Sequence, residues 1–179
     1  MPEPLRFMLL PGWLDSAPAH WQSRWETLHG CERLQQDDWQ WPRRGDWMAR
    51  LDEALLADPR PALLIAHSLG CQLVAAWASH SAHTGRVHAA LLVAPPDTER
   101  ADMPPNLFNW RPIVRHRLPF AARVVVSSDD PFCAPERATQ MAHDWGAALT
   151  LLEGRGHING DSGLADWPEG WSLVQSLAN

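Results

Sequence analysis

With 179 residues, of which 45% are hydrophobic and 20% charged, the chain has the size of one compact domain with a real core and is too short for two ordinary ones. Its formal net charge of −6 gives no electrostatic footprint for nucleic acid, because the arginines are scattered apart from Arg43-Arg44 and the 111–117 stretch. All fifteen Lys+Arg residues are arginine, which excludes Schiff-base and lysine-base chemistry, and no apolar run approaches the ~20 residues that span a bilayer.

Met1-Pro2-Glu3-Pro4 lacks the basic segment and apolar core of a secretion leader, so a cytoplasmic protein is expected, spanning 1–179 as a single domain. Residues 5–10 are apolar and stop at Pro11-Gly12, a first buried strand ending in a tight loop. A helix is expected next, capped by Asp15 or Ser16, with Pro18 in its first turn and Trp21, Trp25 and Leu28 on one face. Residues 31–35 read as a short strand. Asp46 then caps a helix whose apolar face is Trp47, Leu51 and Leu55 and which ends near Asp58-Pro59.

Pro61-Ala62-Leu63-Leu64-Ile65 is a continuous apolar run, and the residues from Cys71 to about His80 form a buried helix. Between them stands Ala66-His67-Ser68-Leu69-Gly70, which puts a lone serine between small residues at a strand-to-helix joint. Such an elbow strains the serine backbone and needs small flanks so that the helix can approach the strand; the usual pattern is G-x-S-x-G, and Ala66 takes the place of the first glycine. Taken alone, the string fits a helix-capping serine equally well.

A strand at 89–94 follows, then a proline-rich span, 95–119, read as mostly irregular and as a cover over a site. Another strand begins at about Arg123, carries Val124-Val125-Val126 and ends at Ser127-Ser128-Asp129-Asp130-Pro131. Ala134-Pro135-Glu136 opens a helix to about Trp145, residues 148–152 form a last strand into Gly154-Arg155-Gly156-His157, and 167–177 form a closing helix. Strands alternating with helices predict an α/β protein: a mostly parallel sheet with helices on both faces. In such sheets functional groups gather beyond the carboxyl ends of the strands, where Ser68, Asp129, Asp130 and His157 all fall.

These residue types have a joint chemistry. A serine hydroxyl becomes a strong nucleophile when an imidazole takes its proton and a carboxylate fixes the imidazole tautomer. The chain order Ser68, then aspartate, then His157 is that of α/β-hydrolases. Asp130 is chosen as the acid because Pro131 biases it to an extended conformation at the strand rim, while Asp129 is free to accept local backbone hydrogen bonds. His67 points away from the nucleophile at such an elbow and is assigned to packing or orientation. The Leu69 N–H is one candidate oxyanion donor and the Trp13 N–H, after Gly12, the other.

Eleven tryptophans are many for this length, and Trp21, Trp25, Trp47, Trp77 and Trp145 sit in expected helices as core. Trp13, Trp110 and Phe132 fall in expected loops near strand ends and are candidates for an apolar acyl pocket, whereas 37–41 reads as a solvated loop. Cys31, Cys71 and Cys133 are odd in number and widely spaced, hence free thiols. His80 and His83 are the nearest approach to a metal-ligand pair, with no third ligand in view. Neither metal nor cofactor is called for.

Pro11-Gly12-Trp13 with Ser16 and His20-Trp21, then 66–70, then Ser128-Asp129-Asp130-Pro131-Phe132, and finally Gly156-His157-Ile158-Asn159 together resemble the small serine hydrolases related to retinoblastoma-binding protein nine. The resemblance spans nearly the whole chain. It implies a compact three-layer α/β-hydrolase fold without a large lid domain, with Ser68, Asp130 and His157 as nucleophile, acid and base. The chain departs from the mammalian members at Pro11-Gly12-Trp13, where they carry a longer glycine-rich stretch. The expected activity is hydrolysis of a small carboxylic ester, extending to a thioester or amide, through an acyl-enzyme. The alternatives are a non-catalytic protein-interaction module on a hydrolase scaffold, an aminopeptidase-like amidase, and a metal-dependent hydrolase.

Overall fold

The computed structural model describes residues 4–179, so Met1–Glu3, on which the leader expectation partly rests, lie outside the described residues. Strands β1 (Arg6–Leu10), β3 (Ala62–His67), β4 (Val87–Val93) and β5 (Ala121–Ser127) form the middle of one sheet, with β2 (Glu32–Arg33) and β6 (Ala148–Leu152) at its edges. The order is β2-β1-β3-β4-β5-β6 and every pairing is parallel. Parallel strands are covered on both faces, which is why the central ones read as continuous apolar runs. Every residue of β3 is buried.

Five helices cover the sheet. Helices α2 (Arg44–Leu56), α3 (Leu69–His80) and α4 (Pro135–Trp145) pack on one face, where Trp47, Leu51, Leu73, Trp77, Met141 and Trp145 meet Met8, Leu64, Leu92 and Val124. Helices α1 (Trp21–His29) and α5 (Pro168–Ala178) cover the other, where Trp21, Trp25, Trp167 and Val174 meet Leu9, Ile65, Leu91 and Val125. This is the three-layer α/β-hydrolase architecture, and among the described residues no large lid domain is inserted in it. Among the described residues no helix is long and apolar enough to cross a membrane.

The connectivity explains where a site forms. From β1 the chain moves outward to β2 and then returns to the other side of β1 as β3, so the loops leaving β1 and β3 diverge and open a crevice between them. Gly12 and Ser68 line it. Further along, the 95–119 span runs over the same strand ends and contains a short 3-10 helix, Pro105–Trp110.

Three local expectations change. Helix α1 starts at Trp21 rather than after Asp15 or Ser16, with the His20 imidazole as its cap, accepting from Gln22 N. Leu14 and Asp15 are left-handed, with φ of 67° and 65°, and the Asp15 carboxylate accepts from Ser16 N at 2.7 Å, so the loop closes on itself instead of entering a helix. Leu28 is 50% exposed and leaves the buried face to Trp21 and Trp25. In α2, Asp46 lies in the first turn, and Arg43 is the cap residue; the side chain of Asn109 accepts from Arg44 N at 2.7 Å, a cap supplied from across the fold.

Candidate active site

Ser68 has φ 54° and ψ −123°, a backbone region that costs a non-glycine residue on the order of 1–3 kcal/mol and persists only where the surroundings enforce it. Two glycines enforce it. A Cβ on Gly70 would collide with the Leu10 carbonyl oxygen, so α3 can leave the elbow against β1 only with glycine there. A Cβ on Gly12 would sit 2.9 Å from Ser68 Cβ and 3.2 Å from Leu69 N. The β1 loop therefore presses directly on the elbow, and Ala66, fully buried in β3, meets the need for a small residue before the serine.

The strand ends bring three of the residues singled out from sequence into one line. Ser68 Oγ lies 2.8 Å from His157 Nε2, and His157 Nδ1 lies 3.0 Å from each oxygen of Asp130. The side chains of His157 and Asp130 are only 10% and 4% exposed, so the contact is largely withdrawn from water. Asp130 Oδ1 also accepts from Phe132 N at 2.9 Å, and the Phe132 ring packs edge-on against His157 with centroids 4.6 Å apart.

Asp129 does different work. Its Oδ1 accepts from Gly156 N at 2.8 Å and from Ser127 Oγ at 2.9 Å, and these bonds hold its carboxyl below the usual range. Arg155 N and Gly154 N donate to Ser127 Oγ and Ser128 Oγ, so the end of β5 clamps the loop that carries His157. His67 turns back under that loop. Its Nε2 lies 2.9 Å from the His157 carbonyl oxygen and its Nδ1 3.3 Å from His20 Nε2.

The backbone N–H groups of Trp13 and Leu69 find no acceptor among the described residues, and both flank the Gly12–Ser68 contact. Leu69 is the first residue of the twelve-residue helix α3, whose dipole puts its positive end at Ser68.

Two clefts meet at Ser68. One, of about 250 Å³, is apolar and is lined by Trp13, Leu14, Leu69, Pro96, Met103, Leu107 and Phe132 together with His157. The other, of about 230 Å³, is polar and is lined by Gly12, Asp15, His20, His67, Asn159 and Asp161. A wider groove of about 790 Å³ between Trp41, Arg43, Met48 and Phe108 is lined by His80 but by none of Ser68, Asp130 and His157.

Trp13 and Phe132 thus line the apolar cleft as expected, but Trp110 does not. It is 1% exposed, packs edge-on against Trp47 with centroids 5.5 Å apart, and donates from Nε1 to Pro42 O at 2.8 Å. The short 3-10 helix turns Leu107 toward the cleft and Trp110 into the core, which its loop position in the sequence did not reveal. Leu14, Pro96, Met103 and Leu107 were not singled out from sequence; only the reading of 95–119 as a cover pointed to their region. His83 Nδ1 lies 3.1 Å from Asp52, and no group of three metal-ligating side chains occurs among the described residues. Cys31, Cys71 and Cys133 are free and buried, and burial pushes all three thiols up, Cys31 and Cys133 to about 12.

Comparison with known proteins gives the family. The model of the family described as serine hydrolase matches residues 7–176. The chain belongs to the serine hydrolase family. Among solved structures, this serine hydrolase resembles a YdeN-like hydrolase from Pectobacterium atrosepticum, with 26% identity, a TM-score of 0.85, and 97% of this chain and 90% of that one covered. The ydeN gene product of B. subtilis shares 20% identity at a TM-score of 0.74, covering 97% and 98% of the two chains. A monoacylglycerol lipase from Paleococcus ferrophilus, 11% identical over 99% and 95% of the chains with a TM-score of 0.74, shares the fold. Among curated proteins no sequence matches the chain. The protein is a small α/β-hydrolase of the kind related to retinoblastoma-binding protein nine.

Proposed function

We propose that this hydrolase is a serine esterase that cleaves small carboxylic esters through an acyl-enzyme, with Ser68 as nucleophile, His157 as general base and acid, and Asp130 as the group that orients His157. The observation that carries the reading is the line from Ser68 Oγ through His157 to Asp130, with contacts of 2.8 and 3.0 Å, on a serine held in a strained elbow. A capping serine needs neither the strain nor the partners, and here Ser68 makes no capping bond to its own helix.

In this scheme Ser68 Oγ attacks the ester carbonyl carbon while His157 Nε2 takes the hydroxyl proton. The carbonyl electron pair moves onto oxygen, which the N–H groups of Leu69 and Trp13 receive. Collapse breaks the bond to the alcohol, which leaves with the proton from His157. Water then gives a proton to His157 and attacks the acyl carbon, releasing the acid and returning the proton to Ser68. Asp130 keeps the His157 proton on Nδ1, so Nε2 presents its lone pair to Ser68 throughout.

The apolar cleft is the acyl site and the polar one the side from which leaving group and water exchange. At ~30 Å³ for a water-sized group, the acyl cleft of about 250 Å³ takes roughly eight, which favours short to medium acyl chains. The decisive experiment is labelling with a fluorophosphonate alongside hydrolysis of a p-nitrophenyl ester series, with Ser68→Ala as the blank. Labelling and turnover are expected in the wild type, with a loss on the order of 10³-fold or more in Ser68→Ala at unchanged stability. A folded wild type that neither labels nor turns over any ester would leave a protein-interaction module as the reading. Faster hydrolysis of aminoacyl anilides than of esters would make it an amidase.

A further inference from the structure

We infer that His67 and His20 are positioning residues: a neutral imidazole pair of fixed tautomers that grips the backbone of His157 and sets its ring at the reach of Ser68. The inference rests on the proposed role of His157 as the base, and its starting point is hydrogen-bond direction along a buried chain.

Gln22 N can only donate, and it lies 3.1 Å from His20 Nδ1, so that nitrogen is the acceptor and His20 carries its proton on Nε2. His20 Nε2 therefore donates to His67 Nδ1 across 3.3 Å, which puts the His67 proton on Nε2. His67 Nε2 then donates to the carbonyl oxygen of His157 at 2.9 Å, a group that can only accept. The chain begins at an obligate donor and ends at an obligate acceptor, so one tautomer assignment satisfies every member. An added proton on either ring would set two N–H groups face to face. Both rings are buried, at 5% exposure each, and burial lowers the proton affinity of both, His20 to about 3. Because the chain ends on a carbonyl, it is not a proton relay. It is a static hold.

Its placement gives it a function. His67 is the last residue of β3 and Ser68 the next, so adjacent residues of one strand end touch the two ends of His157: Ser68 meets the ring and His67 the carbonyl. The Trp21 indole adds a second tether, donating to Ile158 O at 2.8 Å. With the strand end fixing both nucleophile and base, their separation is set by two covalently linked residues rather than by a free loop. A shift of ~1 Å at such a contact costs about 10²-fold in rate.

The test combines three variants with a spectroscopic measurement on the wild type. His67→Leu fills the space without a donor, whereas His67→Gln carries an N–H at the reach of Nε2 and an oxygen to accept from His20. In His67→Leu, kcat for a p-nitrophenyl ester is expected to fall ~10- to 100-fold with KM within ~2-fold, and the fluorophosphonate labelling rate to fall in parallel. His67→Gln is expected to recover kcat to within ~3-fold of wild type. Ser68→Ala supplies the blank. In the wild type, two-bond 15N–1H correlations should find His20 and His67 protonated on Nε2 and His157 on Nδ1. This measurement stands even where His67→Leu fails to fold. The inference is overturned by a His67→Leu enzyme as fast as wild type, by His67→Gln falling as far as His67→Leu, or by an Nδ1 proton on His67. A wild type without any reactivity would instead overturn the esterase reading, while the tautomers would still be read.

Discussion

Lowering the pH from 7 to 5.5 is expected to destabilise the protein by up to about 2.5 kcal/mol through His20 and His67 alone. Burial, then the nearby His157 and Arg33, push His20 down to about 3, and burial with its two histidine neighbours pushes His67 well below the ordinary value. In the unfolded chain both titrate near ~6.5. Below that pH the unfolded state binds protons that the folded state refuses, so the stability is complete above ~6.5 and drains away as the pH falls toward the folded values. Each histidine contributes a slope of up to ~1.36 kcal/mol per pH unit, and integration from pH 7 to 5.5 gives about 1.25 kcal/mol for His20 and up to about the same for His67. Unfolded carboxylates near ~4 barely respond in this window. For a chain of this length the loss amounts to a fall of roughly 5–10 °C in Tm. Denaturant titrations at the two pH values, followed by tryptophan fluorescence, measure it directly, because Trp21 lies 5.1 Å from His20 and 6.0 Å from His67 between ring centroids. His67→Gln should halve the pH dependence. Stability that is flat, or that rises, between pH 7 and 5.5 would refute the neutral pair.

Two further substitutions separate roles that lie side by side. Asp130→Asn should lower kcat on the order of 10³- to 10⁴-fold with little change in fold, while Asp129→Asn, which weakens the charge-assisted clamp on Gly156 and Ser127, should lower Tm slightly and kcat by under ~10-fold. Equal kinetic damage from the two would show that the acid has been assigned to the wrong aspartate. Leu107→Trp should fill part of the apolar cleft and shift chain-length preference, lowering the ratio of octanoyl to butyryl ester kcat/KM by ~10-fold. An unchanged ratio in a folded variant would remove this cleft as the acyl site.

Much of the fold was legible because the central strands β1, β3, β4 and β5 each carry an apolar run and each candidate group stands one to five residues beyond the end of its strand. That rule singled out Ser68, Asp129, Asp130 and His157 as candidates, and Pro131 favoured Asp130 as the acid of the proposed triad. What escaped were contacts closed by tertiary structure. The start of α1 depends on the His20 imidazole acting as cap, and that of α2 on Asn109, 65 residues away from Arg44. His67 could be turned away from the nucleophile by the geometry of an elbow, but its grip on His157, 90 residues on, has no local signal.

Trp110 and the tryptophan excess make the same point in another way. Helical position suggested a core role for Trp21, Trp25, Trp47, Trp77 and Trp145, and loop position suggested a ligand role for Trp13 and Trp110. Several of them share one pattern, in which a ring lies under a loop and its indole N–H holds that loop by a carbonyl. Trp13 holds Gln40, Trp110 holds Pro42, Trp21 holds Ile158, Trp25 holds Asp166 and Trp145 holds Val114. An indole suits this use because it buries a large apolar surface yet carries one donor that must be satisfied. The loops held in this way include the one that bears His157 and part of the 95–119 cover. In a hydrolase with no large lid domain, catalytic geometry depends on strand-end loops that the sheet does not itself restrain, and the indoles restrain them from within the core.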